Sequence, residues 1–213
     1  MGSIVIVGNG EVPAEAAARI DAADLVVRFN DCRSAAERGR TDVVAVCNTG
    51  RPARAMLASP QWRNLAAVRA AAQIWSVRDP EKFVQMRAPL AISHPELDDF
   101  CDDYTKGFAD FAELAGKDHI IIGRQVHEAV DAALDAYAPP AYVVPSSGMV
   151  VIAHVLTAFA GAEVAIAGFG HQGWEWHPFA AEKRLVDSYV ASGRLSRLQD
   201  AGAPAASVLA GPQ

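Results

Sequence analysis

A histidine stands directly before a proline in residues 168–184, GFGHQGWEWHPFAAEKR, and its setting suits proton transfer. Pro178 is favoured in the first turn of a helix, which places His177 at or near the helix N-cap. Histidine is a poor cap, and the positive end of a helix disfavours an imidazolium, so we expect a neutral ring. A neutral imidazole on a loop can serve as a general base. Glu182 follows five residues later and could steady the loop, without having to pair with the histidine.

Three predicted strands each end in an asparagine, namely Asn9, Asn30 and Asn48. In a parallel sheet all three side chains should point into one crevice. A carboxamide carries both donors and acceptors, which suits a ribose, a base edge or a phosphate. The alternative is that each asparagine only closes its own turn.

The first loop, Gly8-Asn9-Gly10, lies where a dinucleotide-binding fold places its glycine-rich turn. Pro13 replaces the third glycine, so the fingerprint is incomplete. Asp31 falls near the position of a ribose-binding acid, and an NAD-binding Rossmann protein therefore stays as a less favoured alternative.

A second loop, Pro145-Ser146-Ser147-Gly148, precedes a strongly apolar helix. Its hydroxyls and free N–H groups would lie at the positive end of the helix dipole, a suitable seat for phosphate. A plain serine N-cap is the alternative, and the two are compatible.

A third loop follows the last predicted central strand and should reach the same crevice. Gly170 ends that strand and delivers His171 to the crevice, while Trp174 and Trp176 would form either core packing or a wall on which a ligand stacks.

Strands alternate with helices along the chain, which predicts a single Rossmann-like domain over residues 1–200 with a mostly parallel, doubly wound sheet. Its site should lie at the carboxyl ends of the strands. Residues 79–118 read as acidic helices that could form a lid. Residues 201–213 are rich in Ala, Pro and Gly, and we expect a flexible tail.

Composition excludes several functional classes. A formal charge of −6 argues against nucleic-acid binding, and no apolar run reaches the roughly 18 residues that span a bilayer. The first residues, MGSIVIVGNG, lack the basic start of a signal peptide. Three cysteines without CxxC spacing indicate reduced thiols in a cytoplasmic protein, and no cluster has convincing metal-ligand spacing. The oligomeric state is left open.

Three segments, in order, resemble the motifs of the eukaryotic-type sialyltransferases, glycosyltransferase family 29. IVIVGNGEV and the following IDAADLVVRFN are similar to the long sialyl motif, and VVPSSGMVVIAHVLTAFAGAEVAIAGFG is similar to the short one. HPFAAEKRLV resembles the very short motif, whose two defining positions are matched by His177 and Glu182. The motif cysteines are absent, and Val144 stands where an aromatic residue is common.

The resemblance implies a variant GT-A-like fold and a metal-independent, inverting glycosyltransferase without a further cofactor. Its donor would be CMP-sialic acid or CMP-Kdo, and its acceptor a glycan or small molecule. His177 would be the base, Asn9 and Asn30 would hold the nucleotide, and Ser146, Gly148 and Gly170 would surround its phosphate and ribose. The altered third motif supports an alternative, a non-catalytic nucleotide- or glycan-binding protein of the same fold.

Overall fold

The computed structural model describes residues 2–35 and 39–198; the predicted tail at 201–213 lies outside these ranges. The chain forms a single α/β domain around a seven-stranded parallel sheet, which confirms the predicted fold class. The strands are β1 (Ser3–Val7), β2 (Leu25–Phe29), β3 (Val43–Val46), β4 (Gln73–Ser76), β5 (Asp118–Ile121), β6 (Glu163–Ala167) and β7 (Ser196–Arg197).

The strand order, β5-β4-β3-β2-β1-β6-β7, reverses direction at β1. The boundary between the neighbouring strands β1 and β6 is therefore a topological switch point. There the loops at the carboxyl ends of the two strands diverge and leave a crevice. The central strands are rich in valine and isoleucine and are buried on both faces, as β-branched residues in parallel sheets usually are.

Helices cover both faces of the sheet. They are α1 (Ala17–Asp21), α2 (Gly50–Ala58), α3 (Pro60–Asn64), α4 (Ala66–Ala70), α5 (Pro80–Ser93), α6 (Thr105–Leu114), α7 (Arg124–Asp135), α8 (Ser147–Ala158) and α9 (Phe179–Ala191). Side chains of α7, α8 and α9 build the core on one face. Those of α2, α3, α4 and α6 build the core on the other, with α1 beside them.

Three local predictions differ from the structure. The helix expected after Pro13 is a 3-10 turn at Ala14–Ala16 followed by only five residues of α1. The segment expected to hold two helices holds three, because Leu65 takes an extended ψ of 135° between α3 and α4. The two-residue strand β7 was not predicted, because so short a run carries no periodicity.

The region predicted as a helical lid contains α5, a 3-10 turn at Pro95–Leu97, and α6. Asp79 holds the start of this region in place. One carboxylate oxygen accepts from the N–H of Lys82 at 2.9 Å and caps α5, and the other accepts from the N–H of Arg124 at 3.0 Å in the first turn of α7. One side chain thus ties two helix starts together. In the part of the chain that the structure describes, no helix has the length and apolar character needed to cross a membrane.

Candidate functional site

A cleft of about 760 Å³ opens at the switch point, at the carboxyl ends of β1, β2 and β6. It brings together twelve of the thirteen site residues predicted from sequence: Gly8, Asn9, Gly10, Asn30, Ser146, Ser147, Gly148, Gly170, His171, Trp174, His177 and Glu182. The sequence prediction missed several other lining residues, among them Phe29, Arg33, Phe169 and Phe179. Each of these four lies within three positions of a predicted site residue. Proximity in sequence to a predicted site residue is the signal that could have identified them.

The glycines of the first loop allow its backbone to pack closely against Gly168 at the carboxyl ends of β1 and β6. A Cβ on Gly8 would lie 2.4 Å from the carbonyl oxygen of Gly168, and one on Gly10 would lie 2.8 Å from it. The N–H of Gly10 donates to that same oxygen at 3.0 Å, and Gly168 itself has a φ of +68°. The glycines are required because two backbones touch here, and the short α1 offers no long helix start for a dinucleotide phosphate.

Asn30 presents a hydrogen-bond donor to the cleft. Its Oδ1 accepts from the N–H of Cys47 at 2.9 Å, which fixes the orientation of the amide. Its Nδ2 makes no hydrogen bond within the described residues, and the side chain lines the cleft. Asn30 has a φ of +50°, a conformation that Asn adopts more readily than most residues. Asn9 is more fully engaged, since its Oδ1 accepts from the N–H of Arg33 and its Nδ2 donates to the carbonyl of Phe29.

Asn48 is not in the cleft, which corrects the prediction that all three strand-end asparagines share one crevice. It is fully buried, and its Oδ1 accepts from the N–H of Arg78 at 2.7 Å. Its Nδ2 donates to the carbonyl of Arg78 and to Oγ1 of Thr105, at 2.9 and 2.6 Å. The polar groups of this amide are used in joining β3, β4 and α6, so Asn48 neither lines the cleft nor closes its own turn.

Ser146 caps α8 and is itself held by Glu182. Its Oγ accepts from the N–H of Met149 at 3.2 Å and donates to Oε2 of Glu182 at 2.7 Å, while its N–H donates to Oε1 at 2.6 Å. The next two N–H groups of the helix, those of Ser147 and Gly148, have no partner among the described residues, and both residues line the cleft. These are the groups that bind anions at helix starts.

Glu182 is only 2% exposed and contacts the start of α8 rather than His177. Burial raises the pKa of its carboxyl group, whereas the two hydrogen bonds from Ser146 and the positive charge of Arg78 act in the opposite direction. The side chain therefore anchors α9 to α8.

Arg78, which the sequence analysis missed, lies behind the start of α8. It is 2% exposed, and its Nη1 donates to the carbonyl of Pro145 at 2.9 Å, while Nη2 lies 3.5 Å from Oγ of Ser147. Its Nε is buried without a partner, and none of the ion pairs within residues 2–35 and 39–198 includes it. The signal that could have identified it is an arginine directly after a predicted buried strand, in SVRDP, since a charged residue there is seldom buried without a specific partner.

His177 is a neutral hydrogen-bond acceptor in this structure. Its Nδ1–H donates to the carbonyl of Val144 at 2.8 Å, which leaves Nε2 with a free lone pair. Burial and then the positive charge of Arg78 lower its pKa to about 4. The predicted neutral ring thus has a different cause from the helix dipole. Pro178 is the N-cap and α9 begins at Phe179, so His177 lies one residue before the cap.

The remaining loop, residues 170–178, carries His171 and the two tryptophans. His171 has a φ of +47°, and its Nε2 is buried without a partner among the described residues. Trp174 stacks on Phe100 with centroids 5.2 Å apart, and Trp176 meets His94 edge-on at 4.4 Å. Residues 94–100, part of the predicted lid, therefore cover the outer side of this loop. No group of three or more His, Cys, Asp or Glu residues in the described ranges is placed to hold a metal ion.

Acid should destabilise the protein through His127. This residue is fully buried, its Nε2–H donates to the carbonyl of Val77 at 2.9 Å, and burial followed by the charge of Arg78 lowers its pKa to about 4. Because its folded pKa is below the unfolded value near 6.5, the unfolded chain takes up the proton first. The stabilisation is complete above pH 6.5 and is lost as pH falls toward 4. We expect this histidine to account for a loss of about 3 kcal/mol.

Urea unfolding at pH 7.5 and pH 4.5 measures this effect. His127→Gln, which can still donate to Val77, should lose clearly less stability between the two pH values than the wild type. His94→Gln, at a half-buried position outside the cores, is the control and should behave as the wild type does. The same pH dependence in His127→Gln and wild type would contradict the assignment.

The fold and the cleft together define a Rossmann-like α/β protein whose switch-point cleft presents hydrogen-bond donors without partners among the described residues. No protein-family model matches the chain. The chain is 58% identical over 198 residues to the urease operon 23 kDa accessory protein of Rhizobium meliloti (strain 1021), and the alignment covers 92% of each protein. The chain belongs to the family of that accessory protein.

A mammalian sialyltransferase crystal structure has a similar fold. It superimposes with a TM-score of 0.50 at 17% identity, over 92% of this chain and 68% of the sialyltransferase. At this identity the likeness shows the fold alone. It is consistent with the confirmed fold class and carries no information on activity.

The predicted activity is wrong. The relative that shares 58% of its residues is named an accessory protein, which contradicts a glycosyltransferase, and with it the CMP-sugar donor and the glycan acceptor. The general-base role predicted for His177 in sugar transfer has no reaction to serve. The motifs misled because several of their residues are required by the fold. Gly8 and Gly168 allow two backbones to touch, and Ser146 and Glu182 fasten α8 to α9.

Proposed function

We propose that this protein is a non-catalytic accessory protein of a urease system and that it binds a phosphorylated small molecule, such as a nucleotide, in the switch-point cleft. Its protein partner would be urease or another product of the same operon. The family relationship supports the accessory role. The observation that carries the ligand proposal is the pair of free N–H groups of Ser147 and Gly148 at the start of α8.

The electrostatics around the start of α8 favour an anion. The negative charge of Glu182 is offset by the buried Arg78, so the positive end of the α8 dipole is not neutralised. Arg33 adds an exposed guanidinium to the lining of the cleft, ion-paired with the exposed Asp31 at 3.3 Å. A phosphate bound here would accept from the two N–H groups, and the rest of the ligand would extend along the cleft.

The rest of the cleft suits the neutral part of a nucleotide. Nδ2 of Asn30 offers a donor, and Nε2 of His177 offers an acceptor for a hydroxyl group. Rings of Phe29, Phe169 and Trp174 supply apolar and aromatic surface. His177 therefore accepts a hydrogen bond from the ligand and does not need to remove a proton. We also place the protein in the cytoplasm, because Cys32, Cys47 and Cys101 are all free thiols.

Replacing Asn30 with aspartate should weaken ligand binding about 100-fold, because a donor facing an anionic ligand becomes a negatively charged acceptor. Aspartate keeps the bond from Cys47 and tolerates the positive φ. Calorimetric titration with CMP, UMP, AMP, GMP, NAD and inorganic phosphate measures the effect. At least one nucleotide should bind more tightly than inorganic phosphate.

Asn64→Asp, on the exposed surface of α3, is the matched control and should bind as the wild type does. No nucleotide binding by the wild type, or equal affinity in both variants, would contradict the ligand proposal. Consumption of the bound nucleotide during the titration would contradict the non-catalytic role.

The accessory role is tested in a bacterium that carries the urease operon. Deletion of this protein should lower urease activity, and wild type or Asn64→Asp should restore it, whereas Asn30→Asp should not. Unchanged urease activity after deletion would refute the accessory role without affecting the binding result.

A further inference from the structure

The outer edge of β5 is an unpaired strand edge. The N–H of Asp118 donates to Ala72 and that of Ile122 donates to Ser76, so alternate residues of β5 face inward, toward β4. The N–H and C=O groups of His119 and Ile121 therefore point outward. No strand in the described part of the chain pairs with this edge. Such an edge is a template for pairing with another chain.

Apolar side chains flank this edge on one face. Ile121 lies on the same face as His119, whose Nε2 contacts Oγ of Ser76 at 2.9 Å, and α6 packs on this face. Ile121 is 44% exposed, and Leu114 at the end of α6 is 90% exposed. Ile121 lies on the edge strand itself, and pairing at this edge would help to cover it.

We propose that two copies of this chain join by antiparallel pairing of their β5 edges, with the two-fold axis at Ile121, to form a continuous sheet across the dimer. A two-fold axis perpendicular to the sheet keeps the α6 faces of both copies on the same side. The Ile121 side chains of the two copies then contact each other on that face. The backbone of Gly123 is extended, with φ −72° and ψ 162°, so the paired segment reaches that residue.

Charge complementarity selects this register. Pairing of the outward groups can be centred on His119, Ile120 or Ile121. Only the last places Asp118 opposite Arg124 of the second copy, and symmetry forms this pair twice. Arg124 is the first residue of α7, and its guanidinium also pairs with the exposed Glu128 of its own chain at 2.6 Å. Centred on His119, the pairing would place Lys117 opposite Ile121. Opposite charges facing each other across two paired segments are favourable, and no like charges meet in the register centred on Ile121.

Sedimentation equilibrium of the full chain tests the proposal, with a dimer expected for the wild type. Ile121→Lys should raise the dimer dissociation constant about tenfold or more, because two ammonium groups would meet at the axis. Ile92→Lys is the matched control on α5, at a side chain that is 85% exposed, and should leave the dimer intact. A monomeric wild type, or a dimer weakened by Ile92→Lys and not by Ile121→Lys, would overturn the proposal.

A charge reversal tests the register independently of folding defects. Asp118→Arg and Arg124→Asp should each weaken the dimer, since each places like charges opposite one another. The double variant restores two opposite-charge pairs and should recover most of the wild-type dissociation constant. Failure of the double variant to recover would refute the pairing centred on Ile121.

Discussion

Replacement of Gly8 with alanine is expected to destabilise the protein by about 3 kcal/mol or more. The new Cβ would lie 2.4 Å from the carbonyl oxygen of Gly168 and 3.0 Å from its carbonyl carbon. Both are backbone atoms at the carboxyl end of β6, so no side-chain rotation can relieve the clash. The paired strands β1 and β6 would have to separate at their carboxyl ends.

Urea unfolding followed by far-ultraviolet circular dichroism measures this loss. Gly161→Ala is the matched control, because a Cβ there meets no heavy atom within 4 Å. Since alanine restricts the unfolded chain, the control should be as stable as the wild type or slightly more stable. Equal stability of Gly8→Ala and Gly161→Ala would contradict the close contact between Gly8 and the carbonyl group of Gly168.

Replacement of Glu182 with alanine should cost about 2–4 kcal/mol. The change removes the acceptor for both the N–H and the hydroxyl of Ser146, and it removes a negative charge that the buried Arg78 favours. Removing the acceptor alone leaves buried donors unpaired, which costs more than replacing donor and acceptor together by apolar groups. The start of α8 should loosen, and nucleotide binding should fall with it.

Thermal or urea unfolding compares this variant with Glu163→Ala, which removes an exposed carboxylate at the start of β6 and should cost little. Glu182→Gln should lie between the wild type and the alanine variant, because the amide oxygen can still accept one bond. Comparable stability of Glu182→Ala and Glu163→Ala would refute the anchoring role of Glu182.

Six of the seven strands and their parallel arrangement were predictable, because each is a short run rich in apolar residues, followed by a glycine-, asparagine- or arginine-containing loop and separated from the next by a helical segment. The position of the site followed from the same pattern, since parallel strands align their carboxyl ends. Twelve predicted residues accordingly line the cleft. The loss of Asn48 from this set could not be foreseen, because its partners Arg78 and Thr105 lie 30 and 57 residues away.

The activity was predicted less well than the fold, for a physical reason. Gly8, Ser146 and Glu182 satisfy packing and capping requirements of this fold. Their presence therefore indicates the architecture whether or not a reaction takes place. The resemblance to glycosyltransferase family 29 stays a prediction, since 17% identity to a sialyltransferase shows the fold alone.

The placement of Arg78 has a kinetic consequence. Its guanidinium joins the end of β4 to Pro145, 67 residues further on, and Glu182 joins α9 to Ser146 across 36 residues. Contacts of such long range form only after the entropy of closing the intervening loops has been lost. The start of α8 is thus completed late in folding, and a growing or truncated chain that ends before α9 cannot assemble it. Ligand binding at this helix start would then be restricted to chains that have completed folding.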